Sequence, residues 1–189
     1  MLYNDIMFSD IVYLYGDIFS PEVNFLHFRE ELPSGKKVDQ KQLANQVVLA
    51  ALCSLYAQQY ISLYFEEKKI FFIKTKEIKA KRILDKNIFK GLEKDLFNHI
   101  ASDTLVKDAV SSLLHGYSEN PWNEILKITK KHIADEQIIK DDNSKDQESR
   151  FNLYSKAKNE LASNNDLFAK LRNIVKDAIA SHEEKPDAN

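Results

Sequence analysis

Apolar positions recur along this chain with two periods, and the clearest pattern lies at residues 39–73. Leu43, Val47, Ala51 and Leu55 are spaced by four, with Val48 and Leu52 beside them, which predicts a helix with an apolar face from Asp39 to Gln59. Asp39 suits the N-cap, and Gln42 three residues later can close a capping box. Two aromatic and β-branched runs follow, Ile61–Phe65 and Ile70–Ile73, around a polar tip of Glu66, Glu67, Lys68 and Lys69, which predicts a hairpin. A helix running into a hairpin is how a winged-helix unit ends. The expected fold is therefore mainly α, a helical domain with a small winged-helix-like β-hairpin.

The remaining pattern is largely helical. Residues 5–15 form a short amphipathic helix ending near Gly16, and Val23, Phe25, Leu26 and Phe28 suit a strand that could pair with the hairpin. Pro33-Ser34-Gly35-Lys36 is a turn. Ile88, Phe89, Leu92, Leu96 and Ile100 mark one helix. Ser102 or Asp103 caps another, carrying Leu105, Val106, Ala109, Val110, Leu113 and Leu114, with Gly116 suited to its left-handed end. Asn120-Pro121 opens the next with proline at its first position, and Trp122, Ile125, Leu126, Thr129 and Ile133 form its inner face. Residues 140–149 are almost wholly polar and read as a mobile loop; two helices follow near 149–162 and 166–181, and 183–189 reads as a disordered tail. One compact domain from about 5 to 181 is expected within 1–189. No internal repeat is seen.

Four glycines and four prolines in 189 residues imply short loops, and 43% hydrophobic with 30% charged residues fits a globular chain. One cysteine, Cys53, excludes an intramolecular disulfide and suggests a reducing compartment; inside the central helix it reads as a buried thiol. Asp5 and Asp10 interrupt the apolar N-terminus and no basic segment precedes it, so no secretory leader is expected. The longest apolar run, Val47–Cys53, is far short of the ~20 residues of a membrane span. A net charge of −2 argues against a protein that coats nucleic acid with its whole surface. The charge is uneven, however. Residues 74–94 hold Lys74, Lys76, Lys79, Lys81, Arg82, Lys86, Lys90 and Lys94 against Glu77, Asp85 and Glu93, a window of +5 that leaves −7 on the rest.

Metal or acid–base chemistry needs clustered His, Asp or Glu. Asp95, His99 and Asp103 are four apart, as are His132 and Glu136, but no HExxH is present, and both sets read as solvated helix surface. His27 and His182 have no partner nearby in sequence, and four scattered glycines cannot build a phosphate loop. No catalytic residue, metal ligand or cofactor is therefore assigned. Trp122, at the start of an amphipathic helix, reads as core. Lys74, Lys76, Lys79, Lys81, Arg82, Lys86 and Lys90 form the candidate anionic-surface site, able to meet lipid head groups or nucleic-acid phosphates.

Three stretches resemble the Golgi-phosphoprotein family of peripheral membrane proteins and its bacterial relatives. They are Leu52–Phe65 (LCSLYAQQYISLYF), Asp103–Leu126 (DTLVKDAVSSLLHGYSENPWNEIL) and Ile133–Ile139 (IADEQII). The resemblance implies a helical fold and phosphoinositide binding through arginines. The matching positions here are Val48, Asn123 and Leu126, and Gln137 stands where that family has a turn glycine, so no lipid-binding residue carries over.

The leading expectation is a non-enzymatic binding or adaptor protein of the cytosol, peripheral to anionic membrane, whose partners are anionic lipid head groups or a protein. The alternative is a winged-helix nucleic-acid-binding regulator. The central helix bears only Lys41 near its start, so another helix would have to enter a groove.

Overall fold

The computed structural model describes residues 6–25, 27–85, 88–138 and 144–186, with only the backbone at 144–150 and 153. In chain order the elements are α1 (Phe8–Leu14), α2 (Gly16–Phe19), β1 (Arg29–Glu31), β2 (Lys37–Asp39), α3 (Gln40–Ala57), β3 (Ile61–Ile70), β4 (Ile73–Arg82), α4 (Gly91–Asn98), β5 (Thr104–Leu105), α5 (Val106–Ser111), α6 (Pro121–Asp135), α7 (Ser144–Leu161) and α8 (Asp166–Ala180). Helix α3 is the axis, packed by α1, α4, α6, α7 and α8. From Leu43 to Leu55 it has no exposed residue, and Leu43, Val47, Val48, Ala51, Leu52 and Leu55 are wholly buried. A helix apolar on nearly every side must be enclosed, and each buried Leu or Val contributes about 1.5–3 kcal/mol.

The expected mainly α fold with a small winged-helix-like hairpin is overturned. The chain is an α+β mixture, about 50% helix and 19% strand, with antiparallel sheets of two and three strands. Sheet signals in sequence come from a buried apolar face, and most of this strand content is a solvent-exposed ribbon that needs none. Strands β3 and β4 are ten residues each, joined by Phe71 and Phe72 alone, so Glu66–Lys69 lies within a strand rather than forming the tip. The pair is held by cross-strand ion pairs. Glu66 and Glu77 stand opposite each other, and the diagonal neighbours Lys79 and Lys68 neutralise them at 3.0 and 2.9 Å.

Other boundaries differ for local reasons. Asp39 does cap α3, accepting from the Gln42 N–H at 3.1 Å, but its own N–H donates to the Pro21 carbonyl, so no reciprocal box forms. Among the described residues of 18–28 none pairs with the hairpin, and Leu26 lies outside the described residues. Gly16–Phe19 is helical, and the strand that forms is β1, which pairs with β2 through the turn at Gly35, at φ +86°. Asp103, at φ +78°, ends the segment before β5 instead of capping a helix. Helix α7 begins at Ser144, so much of the stretch expected to be a loop is helical; residues 139–143 lie outside the described set. The tail is held as far as Glu184, whose N–H donates to the Ser118 carbonyl, and 187–189 lie outside the described residues.

Helices α3 and α6 end alike. Tyr60 N–H reaches the Leu55 carbonyl and Gln59 N–H the Tyr56 carbonyl, with Gln59 at φ +61°. At the end of α6, Ile138 reaches Ile133 and Gln137 reaches Ala134, with Gln137 at φ +52°. Both are Schellman ends with glutamine in the position glycine usually takes. A buried polar network joins the layers: the Glu30 carboxylate accepts from Tyr13 Oη (2.7 Å), Gln40 Nε2 (3.0 Å) and Lys130 Nζ (3.0 Å), and Gln40 accepts from Asn120 (2.7 Å).

Candidate functional site

The hairpin changes character along its length. At its base Ile61, Leu63, Ile78 and Ala80 are buried in the core. At its far end every residue from Glu67 to Lys76 is exposed. Ile70, Phe71, Phe72 and Ile73 form the tip, and Phe71 and Phe72 are 88% and 97% exposed. Phe71 also has φ +56°, a left-handed conformation that a turn of this kind normally gives to glycine. Strain of this sort costs about 1–3 kcal/mol in a non-glycine residue. Neither its exposure nor its backbone favours folding, so Phe71 fits a role outside the fold.

Lysines surround this tip. Residues 68–76 contain Lys68, Lys69, Lys74 and Lys76 and no acid. Lys69 and Lys74 face each other across the ribbon, a destabilising arrangement. Unlike the Glu66–Glu77 rung, this one has no compensation: among the described residues neither Lys69, Lys74 nor Lys76 has an acidic oxygen within 4 Å. Lys68 is tied to Glu77, which also receives Lys107 at 3.0 Å; these two contacts hold the Glu77 carboxyl below its ordinary range.

The basic residues singled out in sequence are thus divided. Lys74 and Lys76 are at the tip. Lys79 is paired with Glu66 on the stem, and Lys81 is exposed at the base. Arg82 serves the fold: its Nη2 donates to the Phe97 carbonyl at 2.6 Å and its guanidinium lies 4.3 Å from the Phe97 ring. Lys90 contacts Glu136 at 3.2 Å, and Lys86 lies outside the described residues. Sequence reasoning missed Lys68, Lys69, Phe71 and Phe72. A signal was present in the near-symmetric run KKIFFIKTK, in which lysines flank a central apolar four.

A second polar cluster is sealed where α1, α4 and α6 meet. Glu93 accepts from the Ser9 N–H (3.0 Å) and contacts Ser9 Oγ (2.6 Å), while His132 Nδ1 lies 3.0 Å from Asp10 Oδ1. Asp10 and Glu93 are fully buried. Burial, followed by the Asp10 charge, pushes the Glu93 carboxyl up to about 7, and burial outweighs His132 in raising Asp10. Burial alone would lower the His132 imidazole, but the Asp10 hydrogen bond, with Glu93 and Glu136, raises it. With no exposed surface on either carboxylate, this cluster cannot receive a substrate.

The other candidates are placed individually. Asp95 and His99 line a surface pocket of about 500 Å³ with His115 and Glu124, and among the described residues no group of three or more His, Cys, Asp or Glu is arranged to hold a metal. Asp103 accepts from the Tyr64 hydroxyl at the hairpin. His27 packs on Phe28, and His182 Nδ1 meets the Gly116 carbonyl at 2.8 Å. Trp122 is buried, with Lys41 Nζ 3.9 Å from its ring centre. Burial pushes the Cys53 thiol up to about 12. Val48 and Leu126 are wholly buried, and Asn123 bonds Gln40. Among the described residues no helix is long and apolar enough to cross a membrane. No family model, curated protein or solved structure matches the chain.

Proposed function

We propose that this chain is a non-catalytic peripheral binding protein that docks on anionic membrane through the hairpin tip. Phe71 and Phe72, with Ile70 and Ile73, enter the interface while Lys69, Lys74 and Lys76 meet the head groups. The observation that carries the reading is the tip itself: four exposed apolar residues ringed by four lysines, one left-handed backbone and one uncompensated like-charge rung. Each lysine near an anionic surface contributes about 1 kcal/mol, and each large apolar side chain about 1.5–3 kcal/mol if fully withdrawn from water. A duplex nucleic acid offers phosphates to the lysines, but no apolar medium for the phenylalanines, and α3 is too deeply buried to enter a groove.

Co-sedimentation with phosphatidylcholine vesicles, with and without phosphatidylserine and across a salt series, tests the reading. Binding is expected only with phosphatidylserine and to weaken steeply with salt. Phe71→Gly removes the aromatic ring and the backbone strain together, so it should abolish binding while leaving the urea midpoint unchanged or raised. Failure of the native chain to bind phosphatidylserine vesicles at low salt refutes the proposal. So does a duplex-DNA shift that Phe71→Gly leaves intact.

A further inference from the structure

We infer that the outer edge of β4 is a docking site for an extended peptide segment, which adds as a strand in the groove between β4 and α8. This goes beyond the membrane reading and stands without it. The two-residue turn makes Ile70 and Ile73 the first hydrogen-bonded rung, and hydrogen-bonded rungs then alternate down the ribbon. Lys68–Thr75, Glu66–Glu77 and Tyr64–Lys79 bond inward. Lys74, Lys76, Ile78, Ala80 and Arg82 therefore direct their backbone N–H and C=O away from β3. Two contacts at the base agree with this parity: Arg82 N–H donates outward to the Ala101 carbonyl, and Ile83 N–H donates inward to Tyr60.

Strand β5 uses only the first part of this edge, with Leu105 opposite Lys79 and Thr104 opposite Ala80. Beyond it, no strand among the described residues pairs with Lys74 or Lys76. That open edge faces a groove of about 520 Å³ walled by α5 and α8. The apolar lining comes from Ile70, Ile78, Leu105, Ile174 and Ala178, while Lys107 and Asp108 of α5 and Lys170 and Asp177 of α8 bring opposite charges. The edge residues contribute from both sheet faces, Thr75 and Glu77 from one and Lys76 and Ile78 from the other, as expected of a groove that runs along an edge.

The chemistry of the opening selects its occupant. A row of alternating amide donors and carbonyl acceptors is matched by another main chain and not by a lipid tail. A second copy would bring a whole hairpin, but α8 stops the sheet from growing past one added strand. A single extended segment fits, with apolar side chains at alternate positions against Leu105 and Ile174 and no strong net charge, because the groove walls balance.

Amide NMR of the full chain, titrated with a panel of end-blocked peptides alternating valine or isoleucine with threonine or serine, tests this. Saturable shifts and slowed amide exchange are expected at Lys74 and Lys76. Lys76→Ala keeps the backbone donor and is the reference against which Lys76→Pro is read. Lys76→Pro removes the outward N–H at an edge position and should weaken binding by about tenfold or more, the scale of one well-placed hydrogen bond. Ile174→Glu, remote from the hairpin strands in sequence, should weaken it to a similar degree even if Lys76→Pro disturbs the ribbon. The inference is overturned if no peptide moves those amides at millimolar concentration, if neither Lys76→Pro nor Ile174→Glu weakens binding, or if the peptide-free chain sediments as a dimer through this edge.

Discussion

Replacing Glu93 by glutamine separates charge from shape at the sealed junction of α1, α4 and α6. The native carboxyl is raised from its ordinary 4.5 to about 7 by burial, and then by the neighbouring Asp10. A carboxyl raised on folding takes up a proton as the chain folds. Its stabilisation is fully present below 4.5 and is lost as pH climbs through 7. The gap is worth about 3 kcal/mol by roughly pH 8. Asp10 and His132 are raised as well, so both bind protons more tightly in the folded chain and their contributions fall in the same direction. Glutamine preserves the geometry: its carbonyl accepts from the Ser9 N–H and its amide donates to Ser9 Oγ. Urea unfolding followed by circular dichroism should therefore find Glu93→Gln equal to the parent near about pH 4 and more stable by up to about 3 kcal/mol near about pH 8.5. In thermal scans that is roughly 6–12 °C for a chain of this size. A parent whose stability is flat or rising across this range would refute the reasoning. So would a variant that is weaker at the higher pH, since the ionised carboxylate would then be the form the junction requires.

Two further substitutions test the packing. Leu52→Ala empties a wholly buried position on α3 and should cost about 2–5 kcal/mol in urea denaturation; an unchanged midpoint would mean that α3 is not enclosed. Gly91 combines φ +57° with an approach in which an added Cβ would lie 2.8 Å from the His132 ring, so Gly91→Ala should destabilise by at least about 1–3 kcal/mol and weaken the docking of α4 on α6, read as faster amide exchange there.

The helical interior was legible because its periodicity is imposed by burial. Leu43 to Leu55, the Asn120-Pro121 start of α6 and the stripe of α8 all read correctly, since one apolar face repeating at helical spacing has one economical reading. The hairpin was half legible. Its first strand has apolar residues on the core face, but Glu66 and Glu77 lie in strand with cross-strand lysine partners and Lys69 and Lys74 face each other with none, and single-sequence periodicity carries no record of which charges will face each other. The turn was hidden for a related reason. Phe71-Phe72 has none of the residues that favour a tight reversal, so the charged tetrapeptide beside it drew the prediction. The basic patch was located but misassembled: spacing along the chain could not separate Lys74 and Lys76 at the tip from Arg82, which folds back on Phe97.

The glutamine-ended helices leave room for engineering. Gln59 and Gln137 occupy left-handed positions at costs of roughly 1–2 kcal/mol each, and glycine would remove that cost while giving back part of it as lost backbone freedom on folding. A doubly substituted chain would thus gain up to about 1 kcal/mol per site. Neither position contributes to the tip or lines the β4 groove. Thermal robustness is thus separable from both proposed binding surfaces, and a hardened scaffold can be made without altering either.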